Sequence, residues 1–294
     1  MYVITGATGN IGRRIVEGLL ESGLKVRAIG RNQRKLQTLV NKGAEGLLGD
    51  LHDVNFLSQA FTGATAVFAM IPPNYQAENV RAYQNEIGNA IVSALTRANV
   101  SYVVNLSSLG AHLPEKTGPI LGLYDLEQRL NKVPGLNVVH LRPTYFMENL
   151  LPNIDLIKNQ GINGAPLRAD LKFPAIATSD IARVAVSYLK DLAFVGSCEH
   201  ELLGQRDLTM NEITKIIGEA IGKSDLQYVQ FPYEDAQKAM VQMGLSHDMA
   251  RSLIELNQSM NEGFVISETA RSPEKTTETS FEEFAKTFAA YYNS

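Results

Sequence analysis

The chain has a single cysteine, Cys198, in 294 residues. One thiol excludes an intramolecular disulfide and fits a reducing compartment. Long apolar runs are missing too, since none approaches the ~20 residues that a membrane-spanning helix needs. The first residues enter a buried strand at once, which leaves no room for a signal peptide, so a soluble cytoplasmic protein without a membrane partner is expected. A large excess of either charge is lacking: the net charge of −4 argues against a general nucleic-acid binder. There are no internal repeats and no low-complexity tracts. What is present, 45% hydrophobic and 20% charged residues, is ordinary for a globular protein, and the length suits one large α/β domain with a smaller cap.

The most informative stretch is Thr5 to Gly12, T-G-A-T-G-N-I-G, directly after the apolar Tyr2-Val3-Ile4 and before an amphipathic run from Arg13 to Ser22. Strand, glycine-rich turn and helix in that order form a dinucleotide-binding crossover. Gly6 allows the tight turn, Gly9 lets the backbone approach a pyrophosphate, and Gly12 lets the helix pack closely. The backbone of Thr8, Asn10 and Ile11 then faces the phosphates, with the helix dipole behind it. The spacing G-x-x-G-x-x-G resembles the short-chain dehydrogenase/reductase superfamily, in particular its extended and atypical branches.

Strand and helix signals alternate through the first half. Strands are expected over 25–29, 45–49, 64–71, 102–107 and 137–141, and helices over 33–42, 54–61 and 78–98. Such alternation implies an α/β fold with a doubly wound parallel sheet of Rossmann type. After Arg142-Pro143 the pattern loosens. Residues 150–172 are rich in Asn, Gly and Pro, a clear helix covers 180–192, and a short strand, a helix over 210–221, a Met-bearing stretch over 235–260 and a terminal helix from Ser280 follow. The expected division is a dinucleotide-binding domain over 1–150, with the helix near 179–192 packed back onto it. Residues 151–294 form a smaller, partly discontinuous C-terminal α/β lobe over the strand carboxyl ends, where substrate binds.

Cofactor type is read at the end of strand two. An acid there would favour NAD, whereas Ala28-Ile29-Gly30-Arg31-Asn32 has none and places Arg31 for the 2′-phosphate of NADP(H), with Arg34 and Lys35 following. Residues 1–42 hold eight Lys and Arg against two acids. That cluster is either a set of solvated helix faces or a basic field over the cofactor's phosphates.

The chain as a whole resembles the NmrA-like family of atypical short-chain dehydrogenase/reductases. The resemblance rests on Thr5 to Gly12, Gly30-Arg31-Asn32, Gly49-Asp50-Leu51, Asn105 to Ser108, Leu141 to Asn149, Ala177 to Ala182 and Thr279 to Phe284. It implies that Asp50 and Leu51 contact the adenine, with a helix N-cap as the rival role for Asp50. It also implies that Met70, Ile71 and Pro72 lie along the ribose and pyrophosphate, and that Asn105, Ser107 and Tyr145 sit near the nicotinamide.

Many members of the superfamily use Tyr-x-x-x-Lys, in which the lysine lowers the tyrosine's pKa and holds the ribose. Anchored on Glu127 and Leu130, the expected tyrosine and lysine positions fall near Pro119 and Leu123, and neither side chain can do that work. Carbinol–carbonyl redox and sugar-nucleotide epimerisation are therefore disfavoured. Hydride transfer to a quinone-like, azo or other conjugated small acceptor makes less demand on an enzymic acid. Tyr124 and Ser108 are the candidate catalytic hydroxyls, beside Ser107, His112 and Tyr145. His140 reads as packed and inert, and Met240, Met243, Met249 and Met260 as lobe packing rather than a ligand face. No metal site is expected. Two other readings remain open: a non-enzymatic NADP(H) sensor whose protein partner changes with redox state, and an isomerase or dehydratase-like enzyme using Tyr124. Monomer and homodimer are both compatible with the sequence.

Overall fold

The computed structural model describes residues 1–267 and 269–294. Its first half is a run of βα units: β1 (Tyr2–Ile4), α1 (Asn10–Glu21), β2 (Val26–Gly30), α2 (Gln33–Val40), β3 (Glu45–Leu48), α3 (Val54–Phe61), β4 (Ala66–Ala69), α4 (Val80–Arg97), β5 (Tyr102–Leu106), α5 (Leu121–Leu130) and β6 (Asn137–Pro143). Successive side chains on a strand point to opposite faces. Ile4, Ala28, Phe68, Val104 and Val139 accordingly pack with α1 and α2 on one side of the sheet. Their neighbours Val3, Ile29, Val67, Val103 and Val138 pack with α3, α4 and α5 on the other. Burial on both faces explains the continuous apolar runs in the sequence.

The second half continues with β7 (Tyr145–Phe146), α6 (Asn153–Gln160), β8 (Ile162–Ala165), β9 (Phe173–Ile176), α7 (Thr178–Asp191) and β10 (Ser197–Leu202). Then come β11 (Asp207–Leu208), α8 (Met210–Ala220), β12 (Gln227–Gln230), α9 (Tyr233–Gln242), α10 (His247–Asn261) and α11 (Phe281–Tyr292). The main sheet has seven parallel strands in the order β10-β6-β5-β4-β1-β2-β3. The order reverses between β1 and β4, which is where ligands enter open α/β sheets.

The strand expected after Gly196 is β10. It pairs parallel with β6 in the main sheet, Leu202 opposite Pro143, so this sheet takes a strand from the second half of the chain. Helix α7 packs beside α1 in the same core cluster. The Asn- and Gly-rich stretch from 150 to 172 holds more order than its composition suggests. Asn153 Nδ2 donates to Asn163 Oδ1 (2.7 Å), and Asn163 Nδ2 donates to Thr214 Oγ1 (2.7 Å) in a buried network. Two small sheets, β11-β9-β7 and β12-β8, cover a separate apolar cluster that includes Phe173, Ile213, Ile217, Phe281, Phe284 and Phe288.

Three of the motif stretches turn out to join these parts. Glu148 accepts from the backbone N–H of Thr178 (3.0 Å) at the start of α7. The buried Asp180 carboxylate accepts from the N–H (3.0 Å) and hydroxyl (2.6 Å) of Thr279, just ahead of Ser280, which caps α11.

Candidate active site

The glycine turn is built for a close approach. Gly6 has φ +61°, a conformation that other residues adopt only under strain. A Cβ on Gly12 would stand 2.3 Å from the Gly6 carbonyl oxygen, so the first turn of α1 lies directly on the loop. Thr5 is fully buried and ties the turn to β4. Its hydroxyl donates to the Phe68 carbonyl (3.0 Å) and accepts from Met70 N–H (3.1 Å). Helix α1 starts at Gly9 with no side-chain cap and no acid in its first turn. Its first N–H groups and the positive end of its dipole are therefore available to an anion.

A cavity of about 290 Å³ opens at these strand ends, lined by Gly6, Thr8, Gly9, Arg31, Lys35, Asp50, Leu51, Met70 and Pro72, all expected from the sequence. Arg34 is not on its wall. Asn32 caps α2 by accepting from Lys35 N–H (2.9 Å), which fixes where Lys35 starts its course. Asp50 is not a helix cap. Asp53 takes that role for α3, accepting from Asn55 and Phe56 N–H (2.9 and 3.0 Å). Asp50 instead closes a small turn, its Oδ1 accepting from His52 N–H (3.0 Å) and lying 2.7 Å from His52 Nδ1. Those hydrogen bonds, from backbone first and side chain second, hold its carboxyl below the usual range. Tyr83 and Ile87 of α4 are among the wall residues that the sequence reading missed, as is Pro73. Helical spacing marks Ile87 as core, and nothing local marks Tyr83 as facing a cleft formed 50 residues earlier.

Further along the sheet, several expected residues turn inward. Ile11 and Ile71 are buried in the two core clusters, and Asn10 and Gly12 contribute the start of α1 rather than cavity wall. Asn105 is fully buried, with its Nδ2 3.0 Å from His140 Nδ1, while His140 Nε2 lies 2.8 Å from Asn131 Oδ1. Burial drives the His140 pKa down to about 4, so the ring is neutral near pH 7. It is packed, as its place on a central strand implied.

Ser107 is likewise buried and donates to Glu127 Oε1 (2.5 Å). The same carboxylate is gripped by Arg142, Nε to Oε1 at 3.1 Å and a terminal nitrogen to Oε2 at 2.7 Å. Ser107 thus supports the floor rather than facing a ligand. Its neighbour Ser108 does face a cavity.

That second cavity, about 490 Å³, lies beyond the ends of β5, which adjoins β4, and β6, the next strand out. Ser108, Thr144 and Tyr145 line its sheet side. Apolar groups including Ile120, Phe173, Leu256, Met260 and Val265 form most of the rest, and Lys172 and Arg271 also contribute. Tyr145 packs edge-on against Phe173, with ring centroids 5.3 Å apart, and burial pushes its phenol up to about 12, so it stays protonated near neutral pH. Of the four methionines singled out in the sequence, Met260 lines this cavity, Met249 is buried against Ala77 and Val80, Met243 is exposed and Met240 half-buried.

Tyr124 lines neither cavity. It lies on α5 close enough to Arg81 to raise the guanidinium's pKa, an effect led by the Arg81 hydrogen bond to Asp125. His112 is half-buried in the loop after β5 and also lines neither. Pro119 lies in a 3₁₀ turn, Gly118–Ile120, its carbonyl accepting from Gln84 Nε2 (2.8 Å), and Leu123 packs against the core. Among the described residues, no group of three or more His, Cys, Asp or Glu could hold a metal ion, and no helix is long and apolar enough to cross a membrane.

The family model of the NmrA-like family matches residues 2–285. The NAD(P)H azoreductase of Xenophilus azovorans is 28% identical over 296 residues, covering 99% of both chains. Among solved structures, the NADPH-dependent quinone oxidoreductase of Escherichia coli, complexed with NADPH, superposes with a TM-score of 0.82 at 21% identity over 97% of this chain and 98% of that one. Triphenylmethane reductase of Citrobacter sp. gives 0.81 at 18% identity over 98% and 99%. These last two likenesses concern the fold.

Proposed function

Since the chain belongs to the NmrA-like family, we propose that it is an NADPH-dependent oxidoreductase that reduces a quinone-like, azo or other conjugated small acceptor. The smaller cavity fits the cofactor's nucleotide half. A Cβ would fill the turn at Gly12, the start of α1 is uncapped, and Arg31 and Lys35 bring two cations to the end of β2. In this reading Arg31 and Lys35 hold the 2′-phosphate, Asp50 and Leu51 hold the adenine, and the start of α1 holds the pyrophosphate. The relative from Xenophilus azovorans, named for its use of NAD(P)H, supports the same assignment.

When bound, a reduced nicotinamide supplies a hydride. The protein's own task is then to hold an acceptor, exclude water and place a proton donor. The observation that carries the reading is the pairing of a roomy, largely apolar cavity with the loss of the Tyr-x-x-x-Lys positions to Pro119 and Leu123. A flat conjugated molecule is held by apolar walls without a dense set of hydrogen bonds. Ser108, Thr144, Tyr145, Ser267 and Thr269 all carry hydroxyls on its wall; those of Thr144, Ser267 and Thr269 are engaged by other protein groups, while Tyr145 is protonated at neutral pH and able to donate.

The test is NADPH consumption against a panel of quinones, azo dyes and triphenylmethane dyes. Steady turnover with at least one is expected. Tight NADPH binding without turnover on any would sink the enzymic reading in favour of a redox sensor.

A further inference from the structure

We propose that Tyr83 is a positioning residue that aims Arg31 at the 2′-phosphate, an inference that rests on the cofactor reading above. Arg31 is an exposed side chain at the end of β2, and an arginine there has many rotamers of which few face a given phosphate. Phosphate recognition by a guanidinium is strongest when its planar fork is already aligned.

Tyr83, in the first turn of α4, stands on the wall of the same cavity as Arg31, Lys35 and Asp50. Its hydroxyl is shut away from solvent and has no hydrogen bond of good geometry. Such a group carries a cost until it finds a partner. Burial raises the phenol's pKa, the positive Arg31 pulls it back and Asp50 adds to the rise, so both charged neighbours act on this oxygen.

The ring is braced from the other side. His52 packs against it with centroids 5.3 Å apart at 59°, and His52 is itself fixed by Asp50 through the 2.7 Å contact. Asp50 Oδ1 is thereby occupied by His52, N–H and ring both. The unsatisfied phenol oxygen is then an acceptor for one Arg31 N–H, which leaves the rest of the fork for the phosphate. No other charged group has the same effect on Tyr83, and its hydroxyl cannot meet the ligand directly because it is closed to solvent.

The experiment is a double-mutant cycle on direct binding, with NADPH and NADH titrated calorimetrically into wild type, Tyr83→Phe, Arg31→Ala and the double variant. Wild type alone judges the cofactor reading: tighter NADPH than NADH binding upholds it, and equal binding removes both that reading and this one. Given that preference, Tyr83→Phe is expected to weaken NADPH by about 5-fold and leave NADH unchanged, and to have no further effect in the Arg31→Ala background. Equal weakening of both nucleotides, an undiminished effect without Arg31, or no effect on NADPH would each overturn the role. Phe keeps the ring and its packing on His52, so folding is retained, and a thermal melt checks it.

Discussion

Arg142 and Glu127 form a two-pronged ion pair beneath the carboxyl ends of β5 and β6, at 2.7 and 3.1 Å, with side chains 9% and 1% exposed. The pair joins α5 to β6 and receives the Ser107 hydroxyl, so one carboxylate sets the height of the loop that carries Ser108. Removing one partner of such a pair leaves a buried charge unanswered. Glu127→Gln is expected to lower unfolding stability by about 3 kcal/mol, measured by urea denaturation. A loss under about 1 kcal/mol would mean that water or another carboxylate compensates.

His140 gives the fold a pH dependence of defined sign. Its pKa falls from 6.5 to about 4 on folding, so below the unfolded value the unfolded chain binds a proton that the folded chain refuses. The stability contributed by the neutral ring is complete above about pH 7 and is lost between pH 6.5 and 4, by up to about 3 kcal/mol. His140→Asn, compared with wild type across that range, should have a shallower slope, and parallel curves would refute the assignment.

Arg31→Asp is expected to reverse cofactor preference. Losing charge-assisted bonds to the 2′-phosphate weakens NADPH by roughly 10- to 100-fold, while NADH changes little. Equilibrium binding of both nucleotides reads this directly. Parallel losses would assign Arg31 to the shape of the pocket rather than to the phosphate.

Tyr124→Phe should keep wild-type turnover within about 2-fold, because its side chain lines neither cavity and a proton donor must lie within hydrogen-bond reach of its acceptor. Ser108→Ala and Tyr145→Phe, which face the larger cavity, are the variants expected to change kcat or KM. Should Tyr124→Phe alone abolish turnover, chemistry centred on α5, including an isomerase-like reaction, would return.

Gly12→Ala tests the turn. The added methyl would stand 2.3 Å from the Gly6 oxygen, so either α1 moves or the turn opens. A stability loss of about 1–3 kcal/mol is expected, together with weaker nucleotide binding. Unchanged binding would mean that the helix start is not part of the cofactor site.

Local pattern was enough for the parts of this protein that depend on neighbours in sequence. Strand–turn–helix periodicity and the Gly6-Gly9-Gly12 spacing determined the parallel sheet and its nucleotide cleft, because glycine freedom and period-two burial are properties of a few adjacent residues. Arg31 and Lys35 could be placed for the same reason, being fixed by the end of β2 and the cap of α2. Tertiary structure decided the rest. Whether a hydroxyl faces a cavity depends on which way the chain leaves a strand, so Ser107 and Ser108, adjacent in sequence, part company between Glu127 and the larger cavity. Tyr83 joins the cleft only because α4 crosses beside β4. β10 completes the main sheet only because α7 carries the chain back over α1. Contacts between segments distant in sequence leave no periodic trace in either one, and those contacts determine which side chains meet the ligand.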